Sequence, residues 1–380
     1  MAQYQTGTAA TPSILQGIIE AFCTNNGFTL NAGAGSWLSK GQTHVKFDTI
    51  LTTTVNSLNK VSTVATATCS TSHLLTTGDT VVVSGATGVD AALYNGTFNV
   101  TVTGGTVFTY VMSGVPTDNC PTPSTTIILN NNKQWLNINA ANSSDGSTGV
   151  ATRTGAIYIP FASWPITYYL FYSGTPDQVA CIINYDATKI QVLMFGDIVK
   201  VNSSAFVGGN WFFASRVASH QYIINDAYAQ ITDSILAGVS GGSIPMPFID
   251  SSAVGVVYNN SQIHCEIDGI VWADTGVAAT NVMQSDYTIS SLFRSPNSWN
   301  NQSDLIPIHL QFRMLSTLFG YIGYIEHIRF IRIDNYNLGD IITLGTDQWK
   351  VFPVFQKDAT NRNGTTGSTG TLGFAIRYAP

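Results

Sequence analysis

The sequence predicts an α+β chain that is mostly β. It should have antiparallel main sheets, one N-terminal amphipathic helix packed on them, and an inserted small all-β unit of sandwich or barrel type. Three observations predict this. Over residues 326–378 four apolar runs of strand length follow one another, separated by Gly, Asn and Asp. Helical spacing combined with end signals is convincing only near the N-terminus. Residues 60–123 change texture to Thr, Val, Ser and Gly with almost no charge.

The helix comes first. Thr11 can cap it and Pro12 suits its first position. Ile14, Leu15, Ile18, Ile19 and Phe22 recur at helical spacing, and Asn25-Asn26-Gly27 ends it. Gly17 costs about 1 kcal/mol against Ala inside a helix, which suggests close packing on a neighbour. Short strands at 36–38 and 44–47 are joined through Lys40-Gly41. The inserted unit follows, with Pro116, Pro121 and Pro123 as its exit linker, and the main fold resumes near Ile127. The main scaffold is therefore discontinuous, 1–59 and 124–380, around an insert at 60–123.

Runs at 135–138, 156–159, 168–172, 179–183 and 190–195 read as strands, and the last three form a meander through the tight turns Gly174-Thr-Pro-Asp and Asp186-Ala-Thr-Lys. Residues 220–239 fit a helix loosely, and 241–302 is loop-rich with one strand at 263–267. Ile306, Ile308, Leu310 and Phe312 alternate with polar neighbours and feed the closing sheet. In the last run Leu372, Phe374, Ile376 and Tyr378 share one face. Gly373, Ala375 and Arg377 share the other, and the small residues there leave room for the helix.

Composition narrows the function. The chain has 380 residues, 44% hydrophobic and 10% charged, against roughly 25% charged in ordinary soluble domains. Its surface is covered by amides and hydroxyls, or is hidden in an assembly. A net charge of −6 gives no footing for a nucleic-acid partner. Cys23, Cys69, Cys120, Cys181 and Cys265 are odd in number and lack metal-ligand spacing, so they read as buried thiols made in a reducing cytoplasm. The start has no secretory-signal pattern, and no apolar run is long enough to insert in a membrane.

No zinc-protease, phosphate-loop or nucleophile-elbow motif occurs, so no catalytic, metal-binding or cofactor-binding residue is expected, and no cofactor. His309 and His327 read as hydrogen-bonded structural histidines in strands, and Trp211, Phe212 and Phe213 as core. Asp268-Gly269 and Asp274-Thr-Gly276 read as turns. Arg329, Arg332 and Arg377 stand out because charge is scarce. Each either pairs internally with Glu326, Asp334 or Asp340, or contacts a neighbouring subunit, where Arg is favoured.

Several stretches resemble virion structural proteins of tailed bacteriophages. They are Tyr4-Gln-Thr-Gly-Thr-Ala-Ala-Thr-Pro-Ser with Asn26-Gly27-Phe28-Thr, Phe195-Gly196-Asp-Ile-Val-Lys with Gly208-Gly209-Asn-Trp, and Trp349-Lys-Val-Phe-Pro with Gly373-Phe-Ala-Ile-Arg-Tyr. Through His73-Leu-Leu-Thr-Thr-Gly-Asp-Thr-Val, Ser84-Gly-Ala and Tyr94-Asn-Gly-Thr-Phe, the insert resembles a small β domain of phage tail and baseplate proteins. The resemblance implies a tail or baseplate protein that assembles with other virion proteins, in a particle built in the host cytoplasm. It also implies a homo-oligomer, trimer or hexamer, and transfers no catalytic residue. Two other readings stand beside it: a receptor-binding fibre or spike that grips host glycan, and a wall or capsule hydrolase. The hydrolase would need paired carboxylates, and none is apparent in the sequence.

Overall fold

Residues 166–214 set the architecture. Strands Ile166–Ser173, Gln178–Asn184, Ile190–Asp197 and Gly208–Ala214 pair antiparallel in that order, with Gln3–Ala9 on one side and Ile263–Ile267 on the other. Their sequences are apolar at nearly every position, so alternation sends apolar groups to both faces. Leu170, Cys181, Leu193, Phe195 and Phe212 enter one core, and Phe171, Ile182, Val192, Met194 and Phe213 enter a second. A sheet with two apolar faces has to be covered twice. The computed structural model describes residues 2–31, 35–70, 73, 75, 77–120, 125–130, 135–148, 151–159, 164–202, 207–214, 263–267, 281–285, 303–314, 318–360, 362 and 370–379.

The first cover is the helix Pro12–Asn25 with a five-stranded side sheet built from Thr29–Asn31, Trp37–Lys40, Thr43–Asp48, Trp135–Ala140 and Ala151–Tyr158. Thr11 Oγ1 accepts from the Ile14 amide at 3.2 Å, and Asn26 Nδ2 donates to the Phe22 carbonyl at 2.8 Å, so both ends are capped as expected. Leu15, Ile19 and Phe22 lie in the same core as Leu170 and Cys181. Two helix expectations are corrected. Ile14 is 48% exposed instead of part of the buried stripe. The helix packs on the central meander, not on the small face of the C-terminal strand. That face is already filled, since a Cβ on Gly373 would sit 2.5 Å from Ile333 Cγ2.

The second cover is the closing sheet. Its strands run in the order Asn281–Ser285, Ile306–Met314, Leu318–Arg332, Leu372–Tyr378, Asp347–Pro353, Ile341–Leu344. Phe374 lies opposite Phe330 on one neighbour and Phe352 on the other. The rings reach into the central sheet: Phe374 to Phe213 at 6.4 Å and Phe352 to Phe171 at 5.7 Å between centroids. The first and last strands are stapled by aromatics. Tyr4 meets Tyr378 edge-on at 4.9 Å, and the Lys350 ammonium lies 4.8 Å from the Tyr378 ring and 5.2 Å from Tyr4.

Between Thr43–Asp48 and Trp135–Ala140 the chain makes a closed six-stranded barrel. Its strands are Ile50–Val61, Val64–Cys69, Thr80–Ser84, Gly96–Gly104, Val107–Val111 and Thr125–Asn130, with Val55, Leu58, Val81, Val100 and Phe108 inside. The barrel is wider at both ends than 60–123. Val55 pairs with Thr125 and Ile50 with Asn130, so the run at Ile127 closes the barrel instead of resuming the main fold. Nor is Pro116 in an exit linker, because Cys120 just beyond it still bonds back to Leu58 in the barrel. Pro121, Pro123 and the helix expected over 220–239 lie outside the described residues. Of 241–302, the described parts are the strands 263–267 and 281–285.

Gly17 has no neighbour within 4 Å of where a Cβ would stand, so the close packing expected there is absent. Gly17→Ala should therefore stabilise the chain by about 0.5–1 kcal/mol through the unfolded backbone alone. Urea unfolding measures this, and a destabilised variant would mean that the helix is packed at this point.

Candidate functional site

The densest meeting of polar side chains lies where the 174–177 turn, the 40–43 turn and the end of the helix come together. Gly196 makes the approach possible. It has φ +148°, and a Cβ there would lie 2.2 Å from the Asp177 carbonyl oxygen, so only glycine lets the two chains touch. The Asp197 amide then donates to that carbonyl at 2.8 Å.

Lys40, at the end of its strand, swings into this junction. Its ammonium donates to the Asn26 carbonyl at 2.7 Å and the Tyr172 hydroxyl at 2.5 Å, and pairs with Asp177 at 3.0 Å. It also lies 4.6 Å from the centre of the Tyr172 ring. The Tyr172 hydroxyl donates onward to Asp177 Oδ1 at 2.5 Å. Burial pulls the Lys40 pKa down, but the Tyr172 hydroxyl and the Asp177 carboxylate outweigh it and the net shift is upward. Burial and the bond to Asp177 push the Tyr172 hydroxyl up.

Asp197 is the second carboxylate of the cluster. It accepts from Thr43 Oγ1 at 2.8 Å and from the Gln42 amide at 3.4 Å. Burial raises its pKa to about 6; the Thr43 and Gln42 bonds and Lys200 pull it down, and Asp177 adds to the rise. Gln178 carries the cluster across to the closing sheet. Its Nε2 donates to the Asp197 carbonyl at 2.8 Å, and its Oε1 accepts from the His327 amide at 2.9 Å. The His327 ring is buried beside the Gly174 and Pro176 carbonyls, which favour its protonated form. Burial, with the Arg377 and Arg329 cations nearby, lowers its pKa to about 4. His309 Nδ1 meets the Tyr321 hydroxyl.

Two carboxylates in unlike surroundings are the raw material of acid–base chemistry. Here the Asp177 carboxylate is engaged by Lys40 and Tyr172, and that of Asp197 by Thr43 and the Gln42 amide. The cluster ties the helix end, two turns and the closing sheet together, and we describe it as a clamp. The sequence reading missed it. Its one available signal was Gly196 inside an otherwise apolar strand, which marks a close backbone approach.

The arginines singled out from the sequence lie together in the closing sheet, each with a carboxylate of its own chain. Arg329 Nη2 is 3.6 Å from Glu326, donates Nη1 to the Ile325 and Ile328 carbonyls at 3.0 and 3.1 Å, and lies 5.1 Å from the Trp349 ring centre. Arg332, buried, pairs with Asp334 at 3.2 Å and donates to the Arg362 carbonyl at 3.0 Å. Arg377 pairs with Asp347 at 2.6 Å; Asp340, the other expected partner, instead accepts from the Asn337 amide at 2.7 Å. Trp211, Phe212 and Phe213 are core, as expected, and all five cysteines are buried free thiols. Burial pushes the Cys69 thiol up to about 11. Among the described residues no three His, Cys, Asp or Glu side chains gather as a metal set, and no helix is long and apolar enough to cross a membrane. Asp268 and Asp274 lie outside the described residues.

No protein-family model and no curated protein matches the chain. Among solved structures, one match is described as "Phage phi92 endosialidase", at 10% identity and a TM-score of 0.19, covering 91% of this chain and 54% of that one. The chain thus spans about half the length of that neighbour. An overlap this poor does not make the two folds alike.

The raised Asp197 pKa has a sign that can be checked. Unfolded, the carboxyl titrates near 3.9; folded, near 6. The native state therefore holds the proton more tightly, and stability falls as pH rises through that window. Between pH 4 and pH 7 the wild type should lose about 2 kcal/mol relative to Asp197→Asn. Denaturant unfolding across that range measures the difference, and parallel profiles would place Asp197 in a solvated setting.

Proposed function

We propose that this chain is a structural component of a tailed-phage virion, of the tail or baseplate, that acts by protein–protein assembly and has no reaction of its own. The observation that carries this reading is the set of sequence stretches resembling virion proteins, at both ends, in the middle and in the insert. The geometry accords with it. The arginines and the polar cluster are joined to partners within the chain, which suits a scaffold whose polar groups hold its own layers in place. On this reading the chain is a homo-oligomer, trimer or hexamer, among other tail proteins, and it enters the particle in the host cytoplasm.

A second reading, a fibre or spike that grips host glycan, is favoured by one local feature. Tyr321 is 43% exposed, and the His309 ring lies 5.3 Å from it and 5.9 Å from Tyr324, a small aromatic surface of the kind on which sugars stack.

Particles grown with a tag in the Gly104–Val107 turn of the barrel and imaged by electron microscopy test the first reading. Label on the tail or baseplate is the expected result, and label absent from the virion overturns it. Glycan binding by the same particles that disappears with Tyr321→Ala would move the assignment to the second reading.

A further inference from the structure

The barrel has two ends, and its registers tell them apart. Ile50 pairs with Asn130, and the chain on either side of this pair leads to Asp48 and Trp135 in the side sheet. That end is attached. The strand that starts at Ile50 finishes at Val61, which pairs with Val64, and Val64 pairs with Val111. Gly96 pairs with Val83, and Val100, further along the same strand, pairs with Tyr110. The connection from Ser84 to Gly96 therefore also lies at the far, free end. The helix Ala91–Tyr94 and the segment after Val111 close this end. Met112 donates to the Thr63 carbonyl at 2.8 Å, Cys120 to Leu58 at 3.2 Å, and the Thr117 amide to Asp90 Oδ2 at 2.7 Å.

Apolar surface gathers there. Of the twelve large hydrophobic side chains exposed among the described residues, five are at this tip: Val61 at 77%, Val64 at 36%, Val89 at 99%, Val111 at 66% and Val115 at 59%. Val61, Val64 and Val111 lie directly opposite one another on three adjoining strands, so they form one row on the outer wall. Single exposed valines need no explanation, but a row backed by two more at a free end is the pattern of a contact surface.

The charges at the tip indicate what covers it. Over 60–123 the charged side chains are Lys60, Asp79, Asp90 and Asp118. Asp79 is buried. The tip therefore has Lys60 at the end of the Val61 strand, with Asp90 and Asp118 in the closing segments. Hydrogen bonds from Thr117 hold the Asp90 carboxyl below its usual range, and Lys60 contributes to the same shift. Exposed rings for a sugar are missing from this set: Tyr94 and Tyr110 are buried, with hydroxyls bonded to the Asp118 and Tyr94 carbonyls at 2.7 and 3.1 Å. The acids would also repel an anionic bilayer.

We propose that the free end of the barrel docks on the same end of a second copy of this chain, about a two-fold axis. In that arrangement the valine row meets its own image, and Lys60 of each copy faces the exposed Asp118 of the other, so the two charges pair across the axis. The proposal rests on the reading that this chain works by assembly and names the surface through which copies pair. Such pairing accords with a hexamer of three pairs and not with a bare trimer.

Sedimentation equilibrium of the purified full-length chain, from low micromolar concentration upward, tests it. Wild type should associate in a concentration-dependent equilibrium that doubles the mass of the dissociated species. Val64→Asp with Val111→Asp should weaken association by about tenfold or more, while Val201→Asp, at an exposed valine elsewhere, should leave it unchanged. Should the double Asp variant fail to melt like wild type, Val64→Thr with Val111→Thr keeps the β-branched shape and gives the same readout. A monomeric wild type, or association untouched by the tip variants, overturns the proposal. A monomer that nonetheless labels in the particle would leave the assembly reading standing and remove only this contact.

Discussion

The structure depends on the central antiparallel sheet being apolar on both faces. Leu193 and Phe195 enter one core while Val192 and Met194, their immediate neighbours, enter the other. Such a layer cannot stay exposed on either side, so it dictates both the side sheet with its helix and the closing sheet. Burying a Phe- or Leu-sized side chain contributes about 1.5–3 kcal/mol. The gain is large only if the rings interdigitate, as Phe213, Phe374, Phe171 and Phe352 do.

Apolar burial fixes which layers meet, and the sparse polar groups fix how they meet. Lys40, Tyr172 and Asp177 lock the first cover to the central sheet. Gln178 reaches from that sheet to the His327 amide in the closing sheet. In a chain with 10% charged residues, few such groups are available, and burial makes each bond count for more than it would at a surface.

Much of the fold was legible because it rests on local signals. The helix caps at Thr11 and Asn26, the tight turn at 174–177 and the strand alternation at 306–310 are short-range patterns, and each appears where expected. What was not legible depends on long-range pairing. No property of Ile127 shows that it lies opposite Thr53 and Val83, so the barrel edges could not be read from composition. The helix was assigned to the wrong sheet because small residues at Gly373 and Ala375 leave room for any neighbour, and Ile333 takes it. The polar cluster was missed for the same reason: Lys40 and Asp177 are far apart in sequence and meet only through packing.

Amide hydrogen exchange on the full-length chain, resolved to short peptides, tests this account most directly. Peptides covering Gln178–Asn184 and Ile190–Asp197, buried on both faces, should be the last to exchange. Peptides from Thr43–Asp48 and Leu372–Tyr378 should open no later than they do. Central strands that exchange while the closing sheet remains protected would contradict a core organised around that sheet.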